Sequence, residues 1–185
     1  MKEILTTWLG ITAEEWAVIA PLLTKKVVSK NVLLLSKGET ETQISFIEKG
    51  SIRFYIPKET NDLTFAFIFE NELACAYDSF LTQQPCSYHA ETLTDTIIWQ
   101  LSYDNLQKLY KTLPRSNVLG RLLTEEIYLK KAKRELALLN QSPEERYTDL
   151  FTLRPHLIKT IPLKYIASYI GVTPQALSRI RRLIT

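Results

Sequence analysis

The chain has 185 residues, 45% of them apolar, with 23 Lys/Arg against 20 Asp/Glu and a net charge of +3. That length holds one ordinary domain or two small ones, the apolar fraction can build real cores, and the lack of a low-complexity tract argues against disorder. The opening MKEILTTWLG has no long apolar run and acids interrupt the helix after it, so neither a signal peptide nor a membrane span is expected, and a cytoplasmic protein is.

The first predicted element is helical. Thr12-Ala13-Glu14-Glu15 reads as a capping box, followed by Trp16, Ile19, Leu22 and Leu23 at helical spacing. From Val27 to about Leu101 the texture changes to short β-branched and aromatic runs: VLLL (32–35), ISFI (44–47), IRFYI (52–56), LTFAFIF (63–69) and TIIWQL (96–101). Turn signals separate them, among them Lys37-Gly38-Glu39, Lys49-Gly50-Ser51 and PKETND (57–62). Many short strands at this spacing predict an antiparallel barrel or sandwich.

Within this region Cys75 and Cys86 are the only cysteines, expected as free, inert thiols, and they fall short of the four usually needed for an iron–sulfur cluster. His89 has no clustered partner residues, so packing accounts for it better than metal or haem ligation does. Tyr77, Phe80, Tyr88 and Trp99 either line an apolar pocket or belong to the core, and core is the simpler reading.

Helix returns after Ser102, a suitable N-cap for YDNLQKLYKTL, and Leu113-Pro114 breaks it. A longer helix is predicted from about Arg115 to Asn140. Along it Val118, Leu122, Leu129, Ala132, Leu136 and Leu139 recur at alternating steps of four and three, with Glu125 the one interruption. That stripe fits a coiled-coil seam for dimerisation, or one face docked on the β region, and the two can share the helix. Ser142-Pro143-Glu144-Glu145 then starts a new helix and marks a boundary near 140–142.

The tail, IASYIGVTPQALSRIRR (166–182), carries the most specific pattern. With Leu163 as position one of a helix-turn-helix, Ala167 falls at five, Gly171 at nine, Leu177 at fifteen and Ile180 at eighteen. Ala167 must be small where two helices cross, Gly171 suits a left-handed helix end, and Thr173-Pro174 suits the start of the next helix. Leu177 and Ile180 face inward, leaving Gln175, Ser178, Arg179 and Arg182 outward, with Lys164 and Arg181 placed for backbone phosphates. Arg pairs bidentately with guanine, Gln with adenine, and Ser reaches bases or phosphate. Residues 142–185 carry seven Lys/Arg against three Asp/Glu, whereas residues 1–141 carry sixteen against seventeen, so the positive field belongs to this segment. A helical hairpin used only for packing is the competing reading.

Strands, a long helix and then this tail resemble the Crp/Fnr family of bacterial transcription regulators across essentially the whole chain, with SKGE (36–39) and IEKGSIRFY (47–55) matching in glycine placement. The resemblance implies an α+β protein: residues 1–114 as an antiparallel, cyclic-nucleotide-binding-like β-roll of the jelly-roll kind flanked by helices, 115–141 as a dimerisation helix, and 142–185 as an all-α helix-turn-helix domain. It places Thr173, Gln175, Ser178 and Arg179 where the family contacts DNA. It also implies double-stranded DNA, a second copy of the chain and RNA polymerase as partners. The family's hairpin wing is not expected, because few residues follow Arg182, and backbone contacts then rest more on Lys164, Arg181 and Arg182.

The resemblance does not extend to the effector. Cyclic-nucleotide-binding members hold the ribose with a Gly-Glu pair and the phosphate with an Arg-Ser/Thr-Ala stretch. Here the corresponding ENELACAYDSFLTQQPCSYHAETL (70–93) has no glycine, and Cys86-Ser87-Tyr88 replaces the arginine triplet. No Lys or Arg lies between Lys58 and Lys108, while Glu70, Glu72, Asp78, Glu91 and Asp95 do. A buried phosphate without a cation is costly, so cAMP is not the expected ligand, and no cofactor or metal is expected. A ligand pocket would draw on Tyr77, Phe80, Cys86, Ser87 and Tyr88, with Arg53 as the one basic residue placed to reach it. No nucleophile–base arrangement or phosphate-binding glycine loop points to an enzyme. The reading is therefore a dimeric DNA-binding regulator that does not respond to cAMP; the alternative is a ligand-sensing or interaction module with a vestigial DNA-binding domain.

Overall fold

Alternation of side chains along short strands organises the first part of the chain. The computed structural model describes residues 6–7, 10–113 and 115–184. Strands β1 (Leu23–Val28), β2 (Leu33–Leu35), β3 (Gln43–Lys49), β4 (Ile52–Ile56), β5 (Leu63–Ile68), β6 (Leu73–Ala74), β7 (His89–Thr92) and β8 (Thr96–Ser102) form two four-stranded sheets, ordered β1-β8-β3-β6 and β2-β7-β4-β5. The registers of β1 and β3 on β8, β6 on β3, and β2 and β4 on β7 are antiparallel. Consecutive strands β3 and β4 lie in different sheets, so the chain wraps between sheets as a β-roll does.

Each strand of the first sheet divides its residues between two faces. Phe46 of β3 joins Ile11, Ile19, Leu109 and Leu119 in a buried cluster, with Trp99 and Leu101 of β8 packed against it. The intervening residues Ser45, Ile47 and Ile98 are buried on the other face, and Gln100 is half-buried there. The helical side of that cluster comes from α1 (Ala13–Ile19), α3 (Tyr103–Thr112) and the start of α4 (Ser116–Asn140). The Thr12–Glu15 capping box forms as the spacing predicts, and Ser102 caps α3 by accepting from the Asn105 amide. A short helix α2 (Tyr77–Thr82) interrupts the strands.

The C-terminal part is helical: α5 (Pro143–Leu153), α6 (Pro155–Thr160), α7 (Leu163–Tyr169) and α8 (Pro174–Ile184). Ser142 caps α5 in a second capping box with Glu145. By internal contacts the chain forms two compact units, one of Met1–Tyr55 and Ala66–Arg121, the other of Ile56–Phe65 and Leu122–Thr185. This partition runs through α4 rather than along the 114/115 and 141/142 boundaries read from sequence, and it assigns the tip of the β4–β5 hairpin to the second unit.

Three local differences from the sequence reading have simple causes. Leu22 and Leu23 are not on the first helix, because Pro21 tightens its end into a 3-10 turn (Ala20–Leu22) and Leu23 opens β1. Strand β1 begins before Val27 and reads LTKKVV because it is an edge strand with four exposed residues. Strand β7 (HAET) lies in a segment whose polar texture shows no strand period. The helix break assigned to Pro114 lies outside the described residues.

Gly50 turns the chain from β3 to β4 at φ +100°, and a Cβ there would sit 2.6 Å from Thr96 Oγ1 and 2.8 Å from the Asp95 carbonyl. Gly50→Ala is therefore expected to cost about 1–3 kcal/mol of stability, measured by denaturant unfolding. A change within a few tenths of a kcal/mol would refute this account of the turn.

Candidate functional site

The α7–α8 pair is set by its connecting turn. Gly171 sits at φ +80°, the Val172 amide donates to the Ala167 carbonyl and the Gly171 amide donates to the Ser168 carbonyl. That is a Schellman helix end, and the glycine takes the one left-handed position it requires. The Thr173 hydroxyl accepts from the Ala176 amide and caps α8, with Pro174 at its first position. Ala167 is fully buried, and Leu177 and Ile180 are 1% and 5% exposed. The four spaced positions thus do what their residue types suggest.

The opposite face of α8 is open. Gln175, Ser178, Arg179, Arg181 and Arg182 are all exposed, as is Thr173 at its start. Lys164 is exposed on α7, its ammonium 4.8 Å from the Tyr165 ring centre. Ser178 donates back to the Pro174 carbonyl, which lets its hydroxyl oxygen still accept a bond from outside. The face therefore offers three guanidinium groups, one amide and one hydroxyl around an amide-rich helix start.

A polar network within the second unit holds α7 in place. The Ser168 hydroxyl donates to the Asp62 carbonyl and accepts from the Thr64 amide, at 2.6 and 2.7 Å. Arg134 of α4 donates to the carbonyls of Tyr169 and Thr64, at 2.9 and 3.4 Å, with its guanidinium 4.6 Å from the Tyr169 ring centre. Burial pulls the Arg134 guanidinium down from its ordinary pKa, while Tyr169 pulls it back up. Arg146 donates to the Ile170 carbonyl at 2.9 Å, and also to that of Gln141. None of these residues stood out in the sequence; a serine and two arginines in amphipathic helices look like solvated side chains.

The β-roll holds a half-open cavity of about 380 Å³. Its wall includes Glu39, Glu41, Gln43, Ser45 and Gln100, with Ile52, Phe54 and Leu35 as apolar floor and the exposed Lys26 at its edge. Glu41 accepts from the Gln43 and Ala76 amides at 2.9 and 3.4 Å, and Glu39 from the Ser36 amide at 2.6 Å. Burial pushes the Glu41 carboxyl above the usual carboxylate range, with these amides acting in the other direction. Residues 39–43 (ETETQ) form a continuous polar run and Thr40 and Thr42 line the wall as well, so no strand period in the sequence marks it.

The pocket residues read from sequence lie elsewhere. None of Tyr77, Phe80, Cys86, Ser87, Tyr88 and Arg53 is among the residues lining this cavity. Arg53 cannot reach it because its strand neighbours Ile52 and Phe54 already face inward, which turns Arg53 to the other side. There it is 3% exposed, pairs with Glu91 at 2.8 Å and lies 3.8 Å from the Tyr55 ring centre. Phe80 is buried between Tyr77 and Tyr103, and Tyr88 is buried edge-on to Phe54 and donates to Asp78. Ser87 is exposed, and Cys86 is a buried thiol directed at the Ser36 and Tyr88 carbonyls. Both cysteines are free, and His89 accepts from the Lys37 amide at 3.0 Å. Among the described residues no group of three or more His, Cys, Asp or Glu is placed to hold a metal, and no helix is long and apolar enough to cross a membrane.

On α4 the seam residues Val118, Leu122, Leu129, Leu136 and Leu139 are exposed, the last by 74%, and Ala132 is half-buried. The stripe is thus uncovered along the helix in a single copy of the chain.

Residues 25–113 match the cyclic nucleotide-binding domain family model. No curated protein matches the chain in sequence. Among solved structures, FixK2 from Bradyrhizobium japonicum aligns with a TM-score of 0.75 at 16% identity over 88% of this chain and 84% of its own. A putative transcriptional regulator of the crp/fnr family from Eubacterium rectale aligns at 0.74 and 16%, over 98% and 87%. The c-di-GMP responsive global regulator CLP of Xanthomonas campestris aligns at 0.72 and 12%, over 94% and 91%. Of these three, one is described as a crp/fnr family regulator, and at these identities the likeness is one of fold.

The raised Glu41 carboxyl binds its proton more tightly folded than unfolded, so its contribution to stability falls as pH rises from about its unfolded value through the folded one. Unfolding free energies of wild type minus Glu41→Gln, followed from pH 4 to 7.5, are expected to decline with pH. A difference that is flat or rises would contradict the burial of this carboxylate.

Proposed function

We propose that this chain is a transcription regulator of the Crp/Fnr type, binding DNA sequence-specifically as a dimer and not responding to cAMP. The observation that carries the reading is the open face of α8: Gln175, Ser178, Arg179 and Arg182 project opposite the buried Leu177 and Ile180. A helix of this width fits the major groove, where Arg179 is positioned for a guanine edge and Gln175 for an adenine edge. The capped start of α8 offers amides to a phosphate, and Lys164, Arg181 and Arg182 add charge along the backbone.

The uncovered α4 seam suits the second copy. Its 25 residues span about 37 Å, enough for three heptads of knobs-into-holes packing. Two α8 helices related by that dyad would occupy successive major grooves about 34 Å apart on a pseudo-palindromic site. The cavity argues against cAMP. A phosphate about 5 Å from either carboxylate would be opposed by about 3 kcal/mol at an effective dielectric of about 20. An exposed lysine such as Lys26 returns at most about 1 kcal/mol.

Selection of bound duplexes from random DNA, followed by anisotropy titrations at two salt concentrations, tests the reading. Arg179→Ala should weaken the selected site about 10- to 100-fold while hardly changing random DNA. Arg181→Ala should weaken both alike and lower the salt slope by about 1. Binding that is absent at low salt, or equal effects of the two variants, would overturn the assignment.

Leu136→Lys places a charge in the seam and is expected to convert a dimer to a monomer in light scattering, with cooperative binding to a two-half-site duplex lost. A wild-type monomer at micromolar concentration would remove this part of the proposal.

A further inference from the structure

The wall of the roll cavity is polar and carries two carboxylates. Glu39 and Glu41 supply two carboxylates, Ser45 and Gln100 supply oxygens, and the one basic lining residue is Lys26 at the exposed edge. The Gln100 amide nitrogen is used on the Ser45 hydroxyl, and its carbonyl oxygen has no hydrogen-bond partner. Each carboxylate accepts one or two backbone amides, fewer than the roughly four bonds such a group can take. Thr40, Thr42, Ser45 and Gln43 can donate as well as accept, so the bias of the lining lies in formal charge, two carboxylates against one lysine.

The protein as a whole has net charge +3, so general attraction favours anions and the preference of this cavity is local. A bare metal ion does not account for it. The volume of about 380 Å³ is more than ten times the roughly 30 Å³ that one water occupies in liquid, and it lies within the range of pockets that enclose small organic ligands. Ile52, Phe54 and Leu35 give it an apolar floor on which an alkyl stem would rest, and the Phe54 ring adds a face or edge to meet it.

We infer that the β-roll binds a small organic cation, an alkyl amine or guanidine whose charged head meets Glu39 and Glu41 and whose stem lies on Ile52 and Phe54. The inference concerns the input of the chain and is independent of its DNA reading, since it is measured without DNA. The ligand's N–H groups donate to the carboxylates. A cyclic nucleotide offers the wrong sign of charge to the same wall.

Calorimetric titration of the full chain with agmatine, spermidine, butylamine, cAMP and calcium chloride, each alone, tests it. Saturable one-to-one binding of at least one of the three organic cations is expected, with no heat from cAMP or calcium. Glu41→Gln should weaken that binding about tenfold. Because Glu41 also ties down backbone amides, Glu39→Gln serves as the second variant; its side chain holds only an exposed turn, and the same direction of change is expected. Binding of cAMP or calcium, silence from all three organic cations, or unchanged affinity in a folded Glu39→Gln would overturn the inference and leave the DNA-binding proposal standing.

Discussion

Period-two alternation of the strand backbone is the constraint from which most of this structure follows. A strand presents consecutive residues to opposite faces, so every strand of the roll has two surfaces to furnish. On β3 and β8, Phe46, Trp99 and Leu101 go to the helices while Ser45, Ile47, Ile98 and Gln100 go to the interior of the roll. On β4 the same rule sends Ile52 and Phe54 inward and Arg53 away. The fate of Arg53 shows how firm the rule is. Its buried guanidinium finds Glu91 directly across on β7 rather than an anion in the cavity, because Arg53 and Glu91 are register partners on one face.

The helical tail obeys a different constraint, the geometry of a turn. Ala167 is fully buried and Gly171 has a positive φ, so α7 must stop where it does and α8 must start at Thr173. Once the turn is fixed, the period of α8 decides which residues face out. The arginines need no further device to be exposed: Leu177 and Ile180 occupy the buried side, and Arg179, Arg181 and Arg182 take what remains. The Ser168–Asp62–Thr64 and Arg134–Tyr169 bonds then fix α7 by satisfying backbone groups at the hairpin tip and the helix end.

This difference explains what was legible in the sequence. The tail was legible nearly residue by residue, because its signals are local: a capping residue, a glycine, and an apolar pair three residues apart. The sheets were legible where strands are β-branched, and were missed at β1 and β7, where an edge position and a polar run hide the period. The cavity was not legible. Its wall is assembled from residues 26 to 100, and the absence of Lys and Arg between 58 and 108 directs attention to the loop after Glu70 rather than to the polar run through Glu39, Glu41 and Gln43. The aromatic candidates Phe80 and Tyr88 were core, as their size alone favours.

Charge in this chain is segregated by segment, and the segregation has an electrostatic logic. Residues 142–185 carry a surplus of cationic groups, three of them the exposed arginines of α8. A cavity seeking phosphate in the same chain would be drawn to polyanions and to every free nucleotide. Carboxylates on the cavity wall give it the opposite sign of local charge from the arginines of α8. The two surfaces then discriminate by charge before any shape is compared. Burial acts against this at Glu41, whose carboxyl it pushes toward the neutral form, whereas the arginines of α8 are exposed to solvent and salt.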